Sequence, residues 1–342
     1  MSFVDNLSRN IVGSSDAMMA LRKSVMDVAE HNIPVLILGP SGSGKEVVAQ
    51  SLADLSGRSG KLISVNCASI PKSLLEAELF GYEKGAFTGA SKTHKGKFEQ
   101  AHNGTLFLDE IGDMPADIQT RLLRVLADGE FYRVGGHTPI KVDVRVIAAT
   151  HQNLEQLVEQ KLFRNDLFHR LNVIRMHLPR LADRSEDIPQ LARHFLQVSS
   201  KDLGVDQKIL SDETAKLFTA LPWQGNVRQL ENTCRWLTVM AAGNEIQPSD
   251  LPPELLNPQQ NVSDQSSTWE EQLRNWANIE LSAGKNRILD SATPTFEKTM
   301  IEIALKHSHG RKRDAAILLG WGRNTLTRKM QELDMSPSRQ QA

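Results

Sequence analysis

The chain has 342 residues, with 40 basic and 41 acidic side chains for a formal net charge of −1, and 40% hydrophobic, 24% charged and 5% aromatic residues. At roughly 100–200 residues per domain this length predicts two or three domains, and the longest apolar runs, such as Val35–Leu38, fall far short of the ~20 residues that span a bilayer. Met1 is followed by no basic-then-apolar leader, and two cysteines, Cys67 and Cys234, cannot build a disulfide framework, so a cytoplasmic protein is expected rather than a secreted one.

In chain order, the β-branched apolar runs 33–38, 62–65, 105–108, 144–149 and 173–178 alternate with helical patterns, which predicts βαβ units around a five-stranded parallel sheet. One of those helices shows its face directly: Ile118, Leu122, Val125 and Leu126 recur at i, i+4, i+7 and i+8. From residue 179 to about 256 helical patterns dominate, for example 188–198. Residues 257–268 are polar and aperiodic and read as a linker. Helical patterns resume at Trp269 and run to about Leu333, with a break expected near Asp290–Pro294. The expected organisation is an α/β domain over 1–178, a helical appendage over 179–256, the linker, and a small all-α domain over 269–342.

Gly39-Pro-Ser-Gly-Ser-Gly-Lys45 stands between the first strand and the helical pattern from Glu46, the strand–GxxxxGK–helix context of a P-loop. Gly39, Gly42, Ser43 and Gly44 let successive backbone N–H groups turn toward phosphate oxygens, and Lys45 adds a point charge. Glu46 occupies the place where most P-loops carry a magnesium-binding Ser or Thr. The third strand ends in Asp109-Glu110 at the carboxyl edge of the sheet, where Asp109 is expected to hold Mg²⁺ and Glu110 to orient or deprotonate the attacking water. Together the two motifs point to an ATPase that cuts the β–γ bond.

Gly85-Ala86-Phe87-Thr88-Gly89-Ala90 resembles the GAFTGA loop of the sigma-54-dependent activators, the bacterial enhancer-binding AAA+ ATPases. An aromatic and a hydroxyl flanked by glycine and alanine suit a contact point for another protein. The resemblance implies that this loop engages sigma-54 and remodels the closed RNA polymerase complex. It also implies that Asn66 restrains the catalytic glutamate until the γ-phosphate arrives, that Thr150 and Asn153 read that phosphate, and that Arg228 in a helical lid contacts nucleotide. Arg164 and Arg170 match the segment whose arginines reach a neighbouring subunit's ATP, which implies a ring, usually a hexamer. The likeness continues through the C-terminus toward nitrogen-regulating members of the family. Pro40, Asn165 and Gln224 depart from the usual residues beside nucleotide-handling positions, and no receiver domain precedes the ATPase pattern in these residues.

Lys312–Leu319 and Arg323–Leu333 read as two short helices about the break Gly320-Trp321-Gly322, a helix-turn-helix. Arg323, Asn324, Thr325, Arg328 and Lys329 on the second helix are residue types that meet bases and phosphates of double-stranded DNA. The family implies a Fis-type DNA-binding domain, with Phe296, Met300, Ile303 and His307 forming a dimer seam. Residues 305–342 hold eight Lys/Arg against three Asp/Glu, net +5, which leaves 32 basic and 38 acidic residues before them, net −6. The near-neutral total is thus the sum of an acidic ATPase and a basic DNA reader. A DNA-binding repressor that only senses nucleotide needs neither Glu110 nor the arginine pair, and a different AAA+ motor carries other residues at 85–90.

Overall fold

The computed structural model describes residues 11–256, 269–282, 286–308, 310–333 and 335. The chain folds as two compact units that divide between Pro252 and Pro253. The lid was expected to end four residues beyond that division. The expected linker, 257–268, lies outside the described residues.

In the first unit, helix α1 (Asp16–Ala29) precedes β1 (Val35–Leu38), α2 (Lys45–Asp54), β2 (Leu62–Asn66), α3 (Lys72–Phe80), the short α4 (Lys97–Gln100), β3 (Thr105–Asp109) and α5 (Ala116–Asp128). There follow β4 (Glu130–Tyr132), β5 (Pro139–Lys141), β6 (Arg145–Thr150), α6 (Leu154–Glu159), α7 (Asn165–Leu171) and β7 (Ile174–His177). Strands β2, β3, β6, β1 and β7 form one parallel sheet in that spatial order, the five strands expected from the apolar runs.

Both faces of this sheet are buried, which is why its strands read as continuous apolar runs rather than alternating ones. Leu36, Leu106, Leu108, Val146 and Ala148 point into one core with Ile118 and Leu122 of α5. Val35, Ile37, Phe107, Ile147 and Ala149 point into the other, with Leu21 and Val25 of α1 and Val48 and Leu52 of α2. Helix α5 buries Ile118, Leu122 and Val125 and stops at Gly129, whose φ of 69° supplies the left-handed C-cap.

Three helices complete the unit: α8 (Ile188–Leu203), α9 (Asp212–Ala220) and α10 (Asn226–Met240). Ser211 caps α9 by accepting the Thr214 amide at 3.2 Å. Two short pairings went unread in the sequence. The hairpin β4–β5 follows α5, and β8 (Ile209–Leu210) pairs in parallel with β9 (Glu245–Ile246) among the lid helices. Strands of two or three residues are too short to set up a period.

The second unit contains α11 (Pro253–Leu256), α12 (Trp269–Ser282), α13 (Leu289–His307), α14 (Lys312–Leu318) and α15 (Arg323–Glu332). The break expected near Asp290–Pro294 is absent: α13 begins at Leu289 and carries Pro294 within it. Pro294 lies in the second turn, where its missing N–H forgoes a single bond, to the carbonyl of Asp290. Ile301, Ala304, Ala315, Ala316, Leu326 and Met330 form the core of this unit, with Leu319, Trp321 and Leu333 packed against it.

Candidate functional site

The carboxyl ends of three adjacent parallel strands converge. Strand β1 runs into the loop 39–44, β3 ends in Asp109 before Glu110, and β6 ends in Thr150. Such an edge is where parallel sheets bind ligands. Gly42 and Gly44 take φ values of 73° and 101°, in the left-handed region that suits glycine, and α2 starts at Lys45. The Lys45 ammonium is buried, 3.0 Å from the Gly39 carbonyl, 3.3 Å from that of Pro40 and 3.7 Å from Glu110 Oε1.

Asn66 stands opposite Asp109 in the β2–β3 register, so its Nδ2 donates to Asp109 Oδ2 at 3.0 Å. Asp109 Oδ1 is buried with no hydrogen-bond partner among the described residues. Burial first, and then the neighbouring Glu110 charge, holds the Asp109 carboxyl above its ordinary range against the pull of Lys45. Glu110 adopts φ 51° and ψ 51°, a left-handed conformation that costs a non-glycine residue roughly 1–3 kcal/mol and recurs at functional sites. That turn carries its side chain toward β6: Oε2 lies 2.7 Å from His151 Nδ1, 3.3 Å from the His151 amide and 3.5 Å from Thr150 Oγ1. The implied restraint of Glu110 by Asn66 is therefore not the contact observed. Pairing of β2 with β3 gives Asn66 to Asp109, and the β6 end holds Glu110.

Lys45, Asn66, Asp109 and Glu110 line one end of a cleft of about 450 Å³, a volume suited to a small-molecule ligand, with Thr150 and His151 behind Glu110 outside the wall. Its polar end is Ser41 to Glu46 with Asn66, Asp109, Glu110, Arg184 and Arg228; Ile11, Val12, Leu178, Leu191, Phe195 and Val227 supply apolar wall. The lid is seated on the phosphate loop. Asn226, at φ 53°, donates through Nδ2 to the Ser41 carbonyl at 3.0 Å and accepts the Leu181 amide at 2.9 Å. Arg184 donates to the Ser43 carbonyl at 3.4 Å. Asp187, fully buried, accepts the amides of Ser14 and Ser15 at 2.6 and 2.9 Å and the Ser15 hydroxyl at 2.6 Å, which anchors the segment that leads from Ile11 and Val12. Asn226, Arg184 and Asp187 escaped the sequence reading, because charged and amide residues in helical stretches default to solvent and only tertiary structure buries these three.

Other expected residues lie elsewhere. Asn153 caps α6, its side-chain oxygen accepting the Gln156 amide at 3.1 Å, and is absent from the cleft wall. An Asn directly before a helix is itself the signal for that role. Arg164 pairs with Asp166 at 2.7 Å, Arg170 donates to the Leu126 carbonyl at 3.0 Å, and both are exposed outside this cleft. Both cysteines are free and buried, and burial pushes the Cys67 thiol up to about 12.

Residues 85–90 form a turn between α3 and α4, closed by the Gly85 amide on the Ala90 carbonyl (2.8 Å) and the Ala90 amide on the Phe87 carbonyl (3.0 Å). Gly85 and Gly89 have φ of 85° and 107°. Phe87 is 44% exposed, edge-on to Tyr82 at 4.9 Å, with Thr88 and Gly89 exposed beside it. At its base Arg133 donates to both Glu99 oxygens (2.9 and 2.6 Å) and to Glu83 (2.7 Å).

In the second unit Arg323, Asn324 and Arg328 are exposed and Thr325 is half-buried. Lys329 differs. Its ammonium lies 2.7 and 2.8 Å from the two oxygens of Glu297 on α13, with both side chains largely covered. It ties α15 to α13 instead of joining the free basic face expected for it.

Three family models match the chain in order: a sigma-54 interaction domain over residues 11–177, an AAA+ ATPase lid domain over 182–268, and a bacterial regulatory protein of the Fis family over 293–333. The DNA-binding transcriptional regulator NtrC of Escherichia coli K12 is 57% identical over 95% of this chain and 70% of its own length; that of Klebsiella pneumoniae is 56% identical over 97% and 72%. The chain belongs to the sigma-54-interacting AAA+ activators. NtrX from Brucella abortus, solved in complex with ATP, superposes with a TM-score of 0.68 at 34% identity, over 96% of this chain and 71% of that one. As a member of this family the chain is an ATPase and an ATP-dependent, DNA-binding activator of sigma-54 transcription. No helix among the described residues is long and apolar enough to cross a membrane.

Proposed function

We propose that this activator works in the cytoplasm at nitrogen-assimilation promoters, dimeric through its C-terminal unit and hexameric when active, hydrolysing ATP at the clefts between ring neighbours. The observation that carries the reading is the convergence of Lys45, Asp109 and Glu110 in one cleft whose wall contains neither Arg164 nor Arg170. Both arginines are exposed, so a second copy is the natural source of a guanidinium for each cleft.

In this reading the amides of Gly42 and Gly44 and the Lys45 ammonium bind the β- and γ-phosphates, while Arg228 contacts nucleotide from the lid. The amides of Gly39 and Ser43 donate to the carbonyls of Thr150 and Pro40, each at 3.3 Å, and hold the loop in shape. Glu110 takes the proton of the attacking water, the water oxygen bonds to the γ-phosphorus, and the bond to the β–γ bridging oxygen breaks to release ADP. Thr150 lies behind Glu110 as the phosphate reader; Asn66 acts through Asp109. Magnesium fits the donor set, because Asp109 Oδ1 is a buried acceptor without a partner among the described residues and Glu46 lies exposed at the cleft wall. When bound, it neutralises charge on the phosphate oxygens. The exposed turn 85–90 offers Phe87 and Thr88 to sigma-54. Phe296, Met300 and Ile303, 58%, 41% and 50% exposed on one stripe of α13, supply the apolar face a dimer buries.

The test is ATPase activity per subunit against protein concentration. Clefts completed by a neighbour predict activity that rises steeply through the assembly range and then levels. Specific activity independent of concentration down to the monomer would place every catalytic group in one chain.

A further inference from the structure

We propose that His151 is a positioning residue for catalysis: it fixes one oxygen of the Glu110 carboxylate so that the other meets the attacking water. The inference rests on the reading of Glu110 as the group that activates water.

Among the described residues the shortest contact to that carboxylate comes from the His151 ring, with Nδ1 2.7 Å from Oε2. A carboxylate facing this ring only accepts, so Nδ1 carries the proton and donates. The His151 amide at 3.3 Å and the Thr150 hydroxyl at 3.5 Å reach the same oxygen from the same strand end. The Thr150 oxygen itself accepts the Gln152 amide at 3.0 Å, which leaves its hydrogen for Glu110. Three donors on Oε2 leave Oε1 turned toward the phosphate loop, 3.7 Å from Lys45 Nζ.

The residue otherwise suited to restrain Glu110 is already engaged. Asn66 spends its Nδ2 on Asp109 and its oxygen on the amides of Ala68 and Ser69 at 3.0 and 3.1 Å. The left-handed backbone of Glu110 aims its side chain at β6, so the pairing of Glu110 with His151 follows from the turn itself. The His151 side chain is 48% exposed, so no hydrophobic core depends on it, and its close polar contact points to work at the site. Orientation of a reacting group is a recognised source of rate, and a shift of about 1 Å costs up to ~100-fold.

The full chain carrying His151→Ala is compared with His151→Gln and with the parent in steady-state ATP hydrolysis and thermal unfolding. Expected for His151→Ala is a fall in kcat of about 10-fold or more, with KM for ATP changed less than about 2-fold and Tm unchanged. Gln keeps an N–H donor of similar reach and is expected to recover a large part of the loss. In the double variant with Glu110→Gln, removing His151 is expected to cost nothing further, because the carboxylate it positions is gone. An unchanged kcat in His151→Ala, or a parallel loss of kcat, KM and Tm that Gln does not relieve, overturns the inference. Glu110→Gln alone separates the two claims. Retained turnover there sinks the role of Glu110, whereas a dead Glu110→Gln beside a normal His151→Ala sinks only the role of His151.

Discussion

The backbone amide of Arg228 donates to the carbonyl of Gly42 at 3.2 Å, so the first turn of the lid helix α10 rests on the phosphate-binding loop. Gly42 permits this approach. A Cβ there would stand 2.5 Å from the Gly225 carbonyl oxygen and 3.1 Å from Arg228 Cβ, on a backbone at φ 73°. Gly42→Ala must therefore either strain the loop or lift the lid, at about 1–3 kcal/mol. The expected outcome is an approximately 10-fold or larger rise in KM for ATP and a lowered Tm, read by ATP titration and thermal unfolding. Wild-type KM in that variant would mean that the seating of the lid does not shape the site.

Lys329 was expected to face DNA, yet it bridges both oxygens of Glu297. A largely covered pair between two helices of so small a core serves packing. Glu297→Gln is expected to destabilise the C-terminal unit by about 1 kcal/mol and, at temperatures where that unit stays folded, to leave DNA affinity intact. Arg323→Ala and Arg328→Ala should do the reverse, with unchanged unfolding but weaker binding to paired sites. If either meets only phosphate, the slope of log affinity against log salt falls by about 1. Calorimetry and fluorescence anisotropy across a salt series separate the two classes. A Lys329→Ala variant with native Tm and a reduced salt slope would return Lys329 to the DNA face.

Asp109 is held above the ordinary carboxylate range by burial and by Glu110. Between the unfolded and the raised folded pKa the native state binds more protons, so stability falls as pH rises through that window and the ionised carboxylate is a net cost at neutral pH. Asp109→Asn removes the charge while keeping the shape and an acceptor for Asn66. Relief of that cost is expected to raise Tm. The same variant is expected to lose magnesium-dependent hydrolysis almost completely, so the scan and the assay move in opposite directions. The gain in Tm should shrink toward acid pH, where the wild-type carboxyl is protonated.

The parallel sheet and the phosphate loop were legible because their signals are local. Strands buried on both faces read as apolar runs, and the glycines of 39–44 serve one backbone path. The acidic pair at 109–110 was legible as a strand-end feature at the carboxyl edge of the sheet. The partners of those residues were not. Whether Asn66 reaches Asp109 or Glu110 depends on strand register and on a positive φ at Glu110, neither of which a residue pattern encodes. The same holds for Lys329: its spacing on α15 puts it beside Arg328, and only the crossing of α13 supplies Glu297 to hold it. Asn153 caps α6 with the same side-chain oxygen that a phosphate reader uses, so its place at a strand exit does not separate the two roles.

Arg164 and Arg170 supply the last prediction. Among the described residues Arg170 donates to the carbonyl of Leu126, and Arg164 is paired to Asp166 and donates to Thr120 Oγ1 at 3.3 Å. If a neighbour's ATP is their target, Arg170→Ala and Glu110→Gln are each inactive for complementary reasons: one chain keeps its cleft and lacks a finger, and the other keeps its finger and lacks a base. Mixed in equal amounts, about a quarter of neighbouring pairs place an intact cleft beside an intact finger in a closed ring. ATP hydrolysis should then recover to roughly that fraction of wild type, against almost none for either variant alone. Recovery should vanish when Arg170→Ala and Glu110→Gln lie in the same chain, because every functional cleft and every functional finger then disappears together. Absence of recovery at any mixing ratio, under conditions where the subunits exchange, would assign the loss in Arg170→Ala to its own chain's fold.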